Sequence, residues 1–229
     1  MKIGKIGYAV RCFNEALAIE EEFETLNYLA LAYIQQGDVS EAIEAYSRMT
    51  LLDSEETDTF LNRAQLYLQE NQAEAAIADC EYILTKKSTD YRAHFLIGQA
   101  YKMLNRPEAA IDSLSKAIEI KNDMADIFLL RSGLLTELKQ YDQALQDVNT
   151  AIRLAPEEEN AYMQRGAIYE ALKDTPSARQ DYTTVVELNP FHEQAYLETG
   201  RLLLEQHLIE EAIRHFCLLY TSPSPRDRS

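Results

Sequence analysis

The chain has 229 residues, 46% of them hydrophobic, and a formal charge of −16 from 22 basic and 38 acidic side chains. Such a field repels phosphate backbones, and with Lys86-Lys87 as the longest basic run there is no concentrated stripe of the kind nucleic-acid binding needs. No apolar run reaches the 18 residues of a membrane span, and three cysteines give no disulfide framework, which leaves a cytoplasmic location as the default.

In chain order, residues 1–22 read as the second helix of a truncated N-terminal repeat, with Gly4 at the turn and Ala9, Phe13 and Ala16 on one face. A missing first helix would place the natural start of the protein further upstream. From Phe23 a unit of 34 residues recurs without insertion or deletion, beginning at Phe23, Thr57, Tyr91, Ala125, Glu159 and Glu193 and filling residues 23–216, the last copy cut short. A fixed period of this length specifies a stacked array, in which each unit buries its apolar stripe only against its neighbours. Residues 217–229 break the pattern. Cys217 to Asp227 resembles one translated frame of a transposase adapter used for sequencing libraries, so this stretch is expected to be a non-native tail, outside any fold reasoning.

Within each window two helices are expected. Position 4 is large (Leu26, Phe60, His94, Phe128, Tyr162, Tyr196), position 8 is small (Ala30, Ala64, Gly98, Ser132, Gly166, Gly200), and a bulky residue follows at position 11. These three share a helix face at i, i+4 and i+7. The second helix carries an alanine at position 20 (Ala42, Ala76, Ala110, Ala144, Ala178, Ala212) and a larger residue at position 24 in five of the six windows, Cys80 being the exception. Small side chains open the groove that large ones fill, which predicts close antiparallel pairs, and overfilling such a groove costs ~1–3 kcal/mol. Position 15 closes the first helix with Gly37, Asn71 and Asn105 in the first three windows, then Lys139, Lys173 and His207. Gly and Asn suit the left-handed turn there. Pro107 and Pro176 fall in the first turn of second helices, and Pro156 and Pro190 end them.

On these residues the chain resembles the tetratricopeptide repeat (TPR) family, with its fullest match over residues 159–192 through Tyr162, Gly166, Tyr169, Ala178, Tyr182 and Pro190. The resemblance implies an all-α fold, a right-handed α-solenoid of antiparallel helix pairs. It also implies that the first helices line a concave groove that binds a peptide or a helix of a partner protein. Its groove positions fall here on Asn27, Leu31, Asn62, Gln65, Gln69, Arg92, Phe95, Gln99, Lys102, Leu129, Thr136, Met163 and Glu170. Amides there can bond a peptide backbone while Phe95, Leu129 and Met163 cover apolar side chains. The family's clamp for a C-terminal carboxylate is matched at two of five positions, Asn62 and Arg92, which disfavours that mode, although Arg92 and Lys102 remain able to meet an acidic group.

No chemistry competes with this reading. The chain has no Gly-rich phosphate loop, no Cys-x-x-Cys and no His-x-x-x-His, so neither a metal nor a cofactor is expected, and His94 and Cys80 read as packing residues. The expectation is a noncatalytic interaction scaffold. The alternative is the interaction part of a larger enzyme or regulator, and uncovered ends near Phe13, Leu203 and Phe216 are expected to favour self-association.

Overall fold

A computed structural model describes residues 2–221. Among them are thirteen α-helices and no strand: α1 (Lys2–Leu17), α2 (Phe23–Gln36), α3 (Val39–Leu52), α4 (Thr57–Gln69), α5 (Ala73–Lys86), α6 (Tyr91–Met103), α7 (Pro107–Ile120), α8 (Ala125–Glu137), α9 (Tyr141–Leu154), α10 (Glu159–Ala171), α11 (Thr175–Leu188), α12 (Glu193–Glu205) and α13 (Ile209–Thr221). The fold is all-α and built of helix pairs, as the period requires. Every first helix begins at the first residue of its window. Two compact units divide the chain, Met1–Asn122 with α1 to α7 and Asp123–Ser229 with α8 to α13. Inside each unit every first helix packs on the second helix of its own window and, where one precedes it, on the second helix of the window before.

Gly4 lies inside α1, not at a turn, because the α1 segment continues helically through it. Lys86 ends α5 and pairs with Glu55 at 2.6 Å. Of the expected tail, residues 222–229 lie outside the described residues.

The hairpin turn is the same in all six windows. Gly37 has φ 85°, and Asn71, Asn105, Lys139, Lys173 and His207 have φ between 56° and 63°. Lysine and histidine therefore accept a left-handed backbone that costs a side-chain-bearing residue roughly 1–2 kcal/mol. The compensation is a recurring bond: the amide of Asp38, Gln72, Arg106, Gln140, Asp174 or Leu208 donates to the carbonyl of Tyr33, Tyr67, Tyr101, Leu135, Tyr169 or Leu203. This six-to-one bond closes the helix and satisfies a carbonyl that would otherwise be orphaned. First helices start with matching economy, since the carboxylates of Glu56, Asp90 and Glu158 accept from the amides of Asp58, Arg92 and Asn160.

Large side chains do fill small gaps. A Cβ added to Gly98, Gly166 or Gly200 would stand 2.7, 2.5 or 2.5 Å from Leu114, Tyr182 or Phe216, the position-24 residue of the same hairpin. All six position-20 alanines are fully buried. In the first unit one buried cluster joins Leu17 and Leu26 to Ala42, Tyr46 and Met49, and another joins Phe60 and Ala64 to Cys80, Ile83 and Leu96. Leu203 corrects the expectation of a bare end. It is 1% exposed, because it shares with Tyr196 and Gly200 the face that α13 covers. Among the described residues, the exposed large apolar side chains of this hairpin are instead Leu197, Leu204, Leu208, Ile209 and Ile213.

His94 is half-buried at position 4 of α6. Burial lowers its pKa below the ordinary 6.5; a backbone hydrogen bond at Ser88 opposes the shift, Lys116 adds to it and Asp90 opposes it. The unfolded chain thus takes up this proton first on acidification. The stability owed to the neutral ring is complete above the unfolded pKa and is lost as pH falls through the folded one. We expect His94→Gln to lose less Tm than the wild type between about pH 7 and pH 5; parallel curves would mean that the imidazole carries none of the acid sensitivity.

Candidate functional site

In the first unit the candidate positions lie on α2, α4 and α6. Leu31, Asn62, Gln65, Gln69 and Lys102 are exposed, while Asn27, Arg92, Phe95 and Gln99 are half-buried. Asn62 hydrogen-bonds the Tyr46 phenol, which burial holds at a raised pKa against that bond. Arg92 is already engaged: its guanidinium lies 2.8 Å from Asp90 and 2.9 Å from Asp58 of α4. The hydrogen bond with Asp90 raises its pKa, burial works the other way, and the charges of Asp90 and Asp58 add to the rise. Of the two cations assigned to an acidic group, Arg92 is spoken for and Lys102 is the exposed one.

One end of this face is a cleft of about 330 Å³. From α1 it is lined by Ile6, Ala9 and Phe13, and from α2 by Tyr28, Leu31, Ala32 and Gln35. Tyr28 is 56% exposed and Leu31 44%. Phe13 and Tyr28 stack across it with ring centroids 6.1 Å apart.

In the second unit Thr136, Met163 and Glu170 serve the fold. Leu129, Thr136, Met163 and Glu170 are all half-buried. Met163 packs against buried Ala178, Tyr182 and Leu202. The Thr136 hydroxyl donates to the Ser132 carbonyl at 2.8 Å, and the Gln164 side chain donates to the Leu129 carbonyl at 3.1 Å. Glu170 accepts from the Tyr182 hydroxyl at 2.6 Å and from Arg201, which also reaches Glu198 at 2.9 Å and Glu205 at 2.8 Å. Burial, and then this bond to Glu170, raise the Tyr182 pKa.

Beneath these faces lies a recurring ion pair that the sequence reading passed over. Position 7 and position 23 hold Arg63 with Asp79, Arg131 with Asp147 and Arg165 with Asp181, each bidentate at 2.6–2.8 Å. Arg63 extends to the hydroxyls of Ser47 and Thr50, and Arg165 to Asn149, so each ties its hairpin to the second helix of the preceding window. The signal was available as Arg and Asp sixteen residues apart in three windows. Elsewhere the same positions carry Leu29 with Ala45, Ile97 with Ser113, and Thr199 with His215.

Side-chain chemistry in these units is quiet. Cys80 is fully buried, and its thiol is pushed up to about 12 by burial first and then by Asp79, Asp90 and Glu81, so it stays protonated at neutral pH. Among the described residues no group of three His, Cys, Asp or Glu side chains is placed to hold a metal ion. No described helix is long and apolar enough to cross a membrane.

Models of the tetratricopeptide repeat match residues 23–55, 91–124, 134–183 and 174–227, together well over half of the sequence. The chain belongs to the TPR family. No curated protein sequence matches it significantly. Among solved structures, a TPR protein from Parabacteroides merdae is similar at 21% identity and TM-score 0.72, over 97% of this chain and 89% of that one. YrrB, described as a TPR protein with an unusual peptide-binding site, is similar at 22% identity and TM-score 0.65, over 80% and 95%. MamA is similar at 23% identity and TM-score 0.66, over 71% and 95%. At these identities the likeness shows the shared fold.

Of the five positions of the family's carboxylate clamp, three that fall here on Leu31, Arg92 and Leu96 offer no free polar or cationic group. Leu31 lines the apolar cleft, Leu96 is buried, and Arg92 is neutralised by Asp90 and Asp58. What these TPR helices leave accessible is a strip of amides and apolar groups on α2 and α4, with Lys102 of α6 beyond it.

Proposed function

We propose that this TPR chain is a noncatalytic protein-interaction scaffold that holds a peptide or helix of another protein against the first helices of its first unit. The observation that carries this reading is the contrast between units. Leu31, Gln65, Gln69 and Lys102 stand exposed on successive first helices, whereas Met163, Thr136 and Glu170 are consumed by packing and internal bonds. Exposed Gln65 and Gln69, one helical turn apart, present amide donors and acceptors to an extended backbone, and half-buried Phe95 offers ring surface. A net charge of −16 favours a basic partner segment and disfavours nucleic acid. Affinity capture from the native host should recover partners that Phe95→Ala with Gln99→Ala reduces at least about tenfold, equivalent to ~1.4 kcal/mol. An unchanged partner set from a double variant of unaltered helicity would move the binding site off this face.

A further inference from the structure

The exposed strip on α4 and α6 carries information about the shape and chemistry of what it holds. Gln65 and Gln69 take positions 9 and 13 of α4, and in no other window are both positions amides. Both are exposed, and neither side chain has a hydrogen-bond partner among the described residues. Four residues apart on one helix face, they are separated by about 6 Å along the axis. An extended chain presents the backbone groups of one edge every two residues, about 6.6 Å apart. The two amides therefore match one edge of a strand, each able to donate and to accept at a backbone peptide group. A helical ligand offers no such row, because its N–H and C=O groups bond each other. α6 packs beside α4 and walls the strip on one side. Phe95 is half-buried on it and Met103 is 42% exposed. Lys102 is exposed and pairs with no carboxylate among the described residues, whereas Arg92 on the same helix is held by Asp90 and Asp58. This wall thus combines apolar surface with one unpaired ammonium group.

We propose that α4 and α6 hold an extended segment of a partner protein that runs along α4, its backbone on Gln65 and Gln69, an apolar side chain against Phe95 and Met103, and an aspartate or glutamate on the same side paired with Lys102. With its edge on α4, the strand sends alternate side chains toward α6, so the apolar and acidic residues stand an even number of positions apart. Phe95 and Lys102 are seven residues apart, about 10 Å along the helix, which lies between the two-residue and four-residue steps of a strand, and the flexible lysine stem spans the difference. The acidic side chain answers one local charge; the chain's formal charge of −16 selects basic residues in the flanks. This inference rests on the scaffold reading and deepens it, choosing an extended ligand over a helical one and naming its residue types.

The probe is a library of random dodecapeptides displayed on phage and selected on the full chain. Enriched sequences should place Asp or Glu two or four positions from an apolar residue. The leading sequence, made as a fluorescent peptide with an amidated C-terminus, should bind at least about tenfold more weakly to the Gln65→Ala, Gln69→Ala double variant and to Lys102→Glu. A peptide with lysine in place of its acidic residue should recover binding to Lys102→Glu and lose it to the wild type. Methylating the peptide's backbone nitrogens one at a time should weaken binding at alternate positions only. Gln65, Gln69 and Lys102 are exposed, so these variants keep the fold, which unchanged helicity checks. No enrichment, indifference to the two glutamines, or failure of the charge exchange overturns the proposal. Losses at every methylated position would mark a helical ligand and overturn it as well, and affinity that appears only with a free C-terminal carboxylate would overturn the side-chain assignment. If the peptides ignore Gln65, Gln69 and Lys102 while captured partners still depend on Phe95 and Gln99, this inference falls and the scaffold reading stands. If the peptides behave as described while captured partners ignore Phe95 and Gln99, the reverse holds.

Discussion

Arg165→Leu is expected to lower the free energy of unfolding by about 3 kcal/mol, near the lower end of the range for stripping one partner from a buried ion pair. Asp181 is 3% exposed and takes two bonds, of 2.8 and 2.7 Å, from the same guanidinium. Removing the cation strands a carboxylate out of water. The reverse change should cost less, since the Arg165 side chain keeps 21% of its surface exposed and can still be solvated. Arg165→Leu combined with Asp181→Leu should regain most of the single loss, because two apolar side chains leave no charge unsatisfied. Recovery will stop short of completion: Arg165 also bonds Asn149 at 2.6 Å and lies over the rings of Tyr162 and Tyr169 at 5.6 and 6.0 Å. Urea unfolding of the wild type, both single variants and the double variant checks this. A loss below about 1 kcal/mol for Arg165→Leu would put the pair in the class of exposed salt bridges.

That pair also marks where the sequence stopped being readable. Each of the six first helices begins where a 34-residue window begins, because one alanine and one glycine or small side chain per hairpin are demanded by close packing wherever the hairpin recurs. The turn was legible at Gly37, Asn71 and Asn105 but not at Lys139, Lys173 or His207, which adopt the same left-handed backbone. There the six-to-one bond overrides the preference of the residue itself, so a propensity argument could have named only half of the turns. The Arg and Asp of positions 7 and 23 were hidden for a different reason. A charged pair occupies an apolar slot in three windows only, and a search for shared hydrophobicity discards it.

The candidate site was legible in outline and not in detail. Family position 5 was carried over as a groove position on Asn27, Phe95, Leu129 and Met163, and all four are half-buried, since position 5 adjoins the core residue at position 4 and turns partly inward with it. Positions 9 and 13 on α2 and α4, represented by Leu31, Gln65 and Gln69, point clear. Whether a groove residue stays free is decided by what the neighbouring helix brings: Glu170 was read as a peptide contact, but Arg201, thirty-one residues later, and the Tyr182 hydroxyl claim it. No local pattern contains that pairing.

Gly166→Leu is expected to cost about 3 kcal/mol, the top of the usual range for overpacking, even though leucine favours a helix interior over glycine by roughly 0.8–1 kcal/mol. Its Cβ alone would fall 2.5 Å from Cε1 and 2.8 Å from Cζ of Tyr182. The ring has nowhere to move, being 2% exposed and tethered through its hydroxyl to Glu170. Tyr182→Ala alone should cost a comparable ~3–5 kcal/mol by leaving a cavity. In the double variant the leucine enters that cavity, so the two losses should fall short of additivity by about 1–3 kcal/mol. Additive losses would show that the two positions do not share one volume, and the small-against-large rule would then fail at one of its two tightest contacts. Gly98→Leu offers a comparison, since its obstacles are Cγ and Cδ2 of Leu114, both at 2.7 Å and on a fully buried side chain. A penalty of similar size is expected there, and a much smaller loss in a thermal melt would show that the leucine branch, unlike the ring, can move aside.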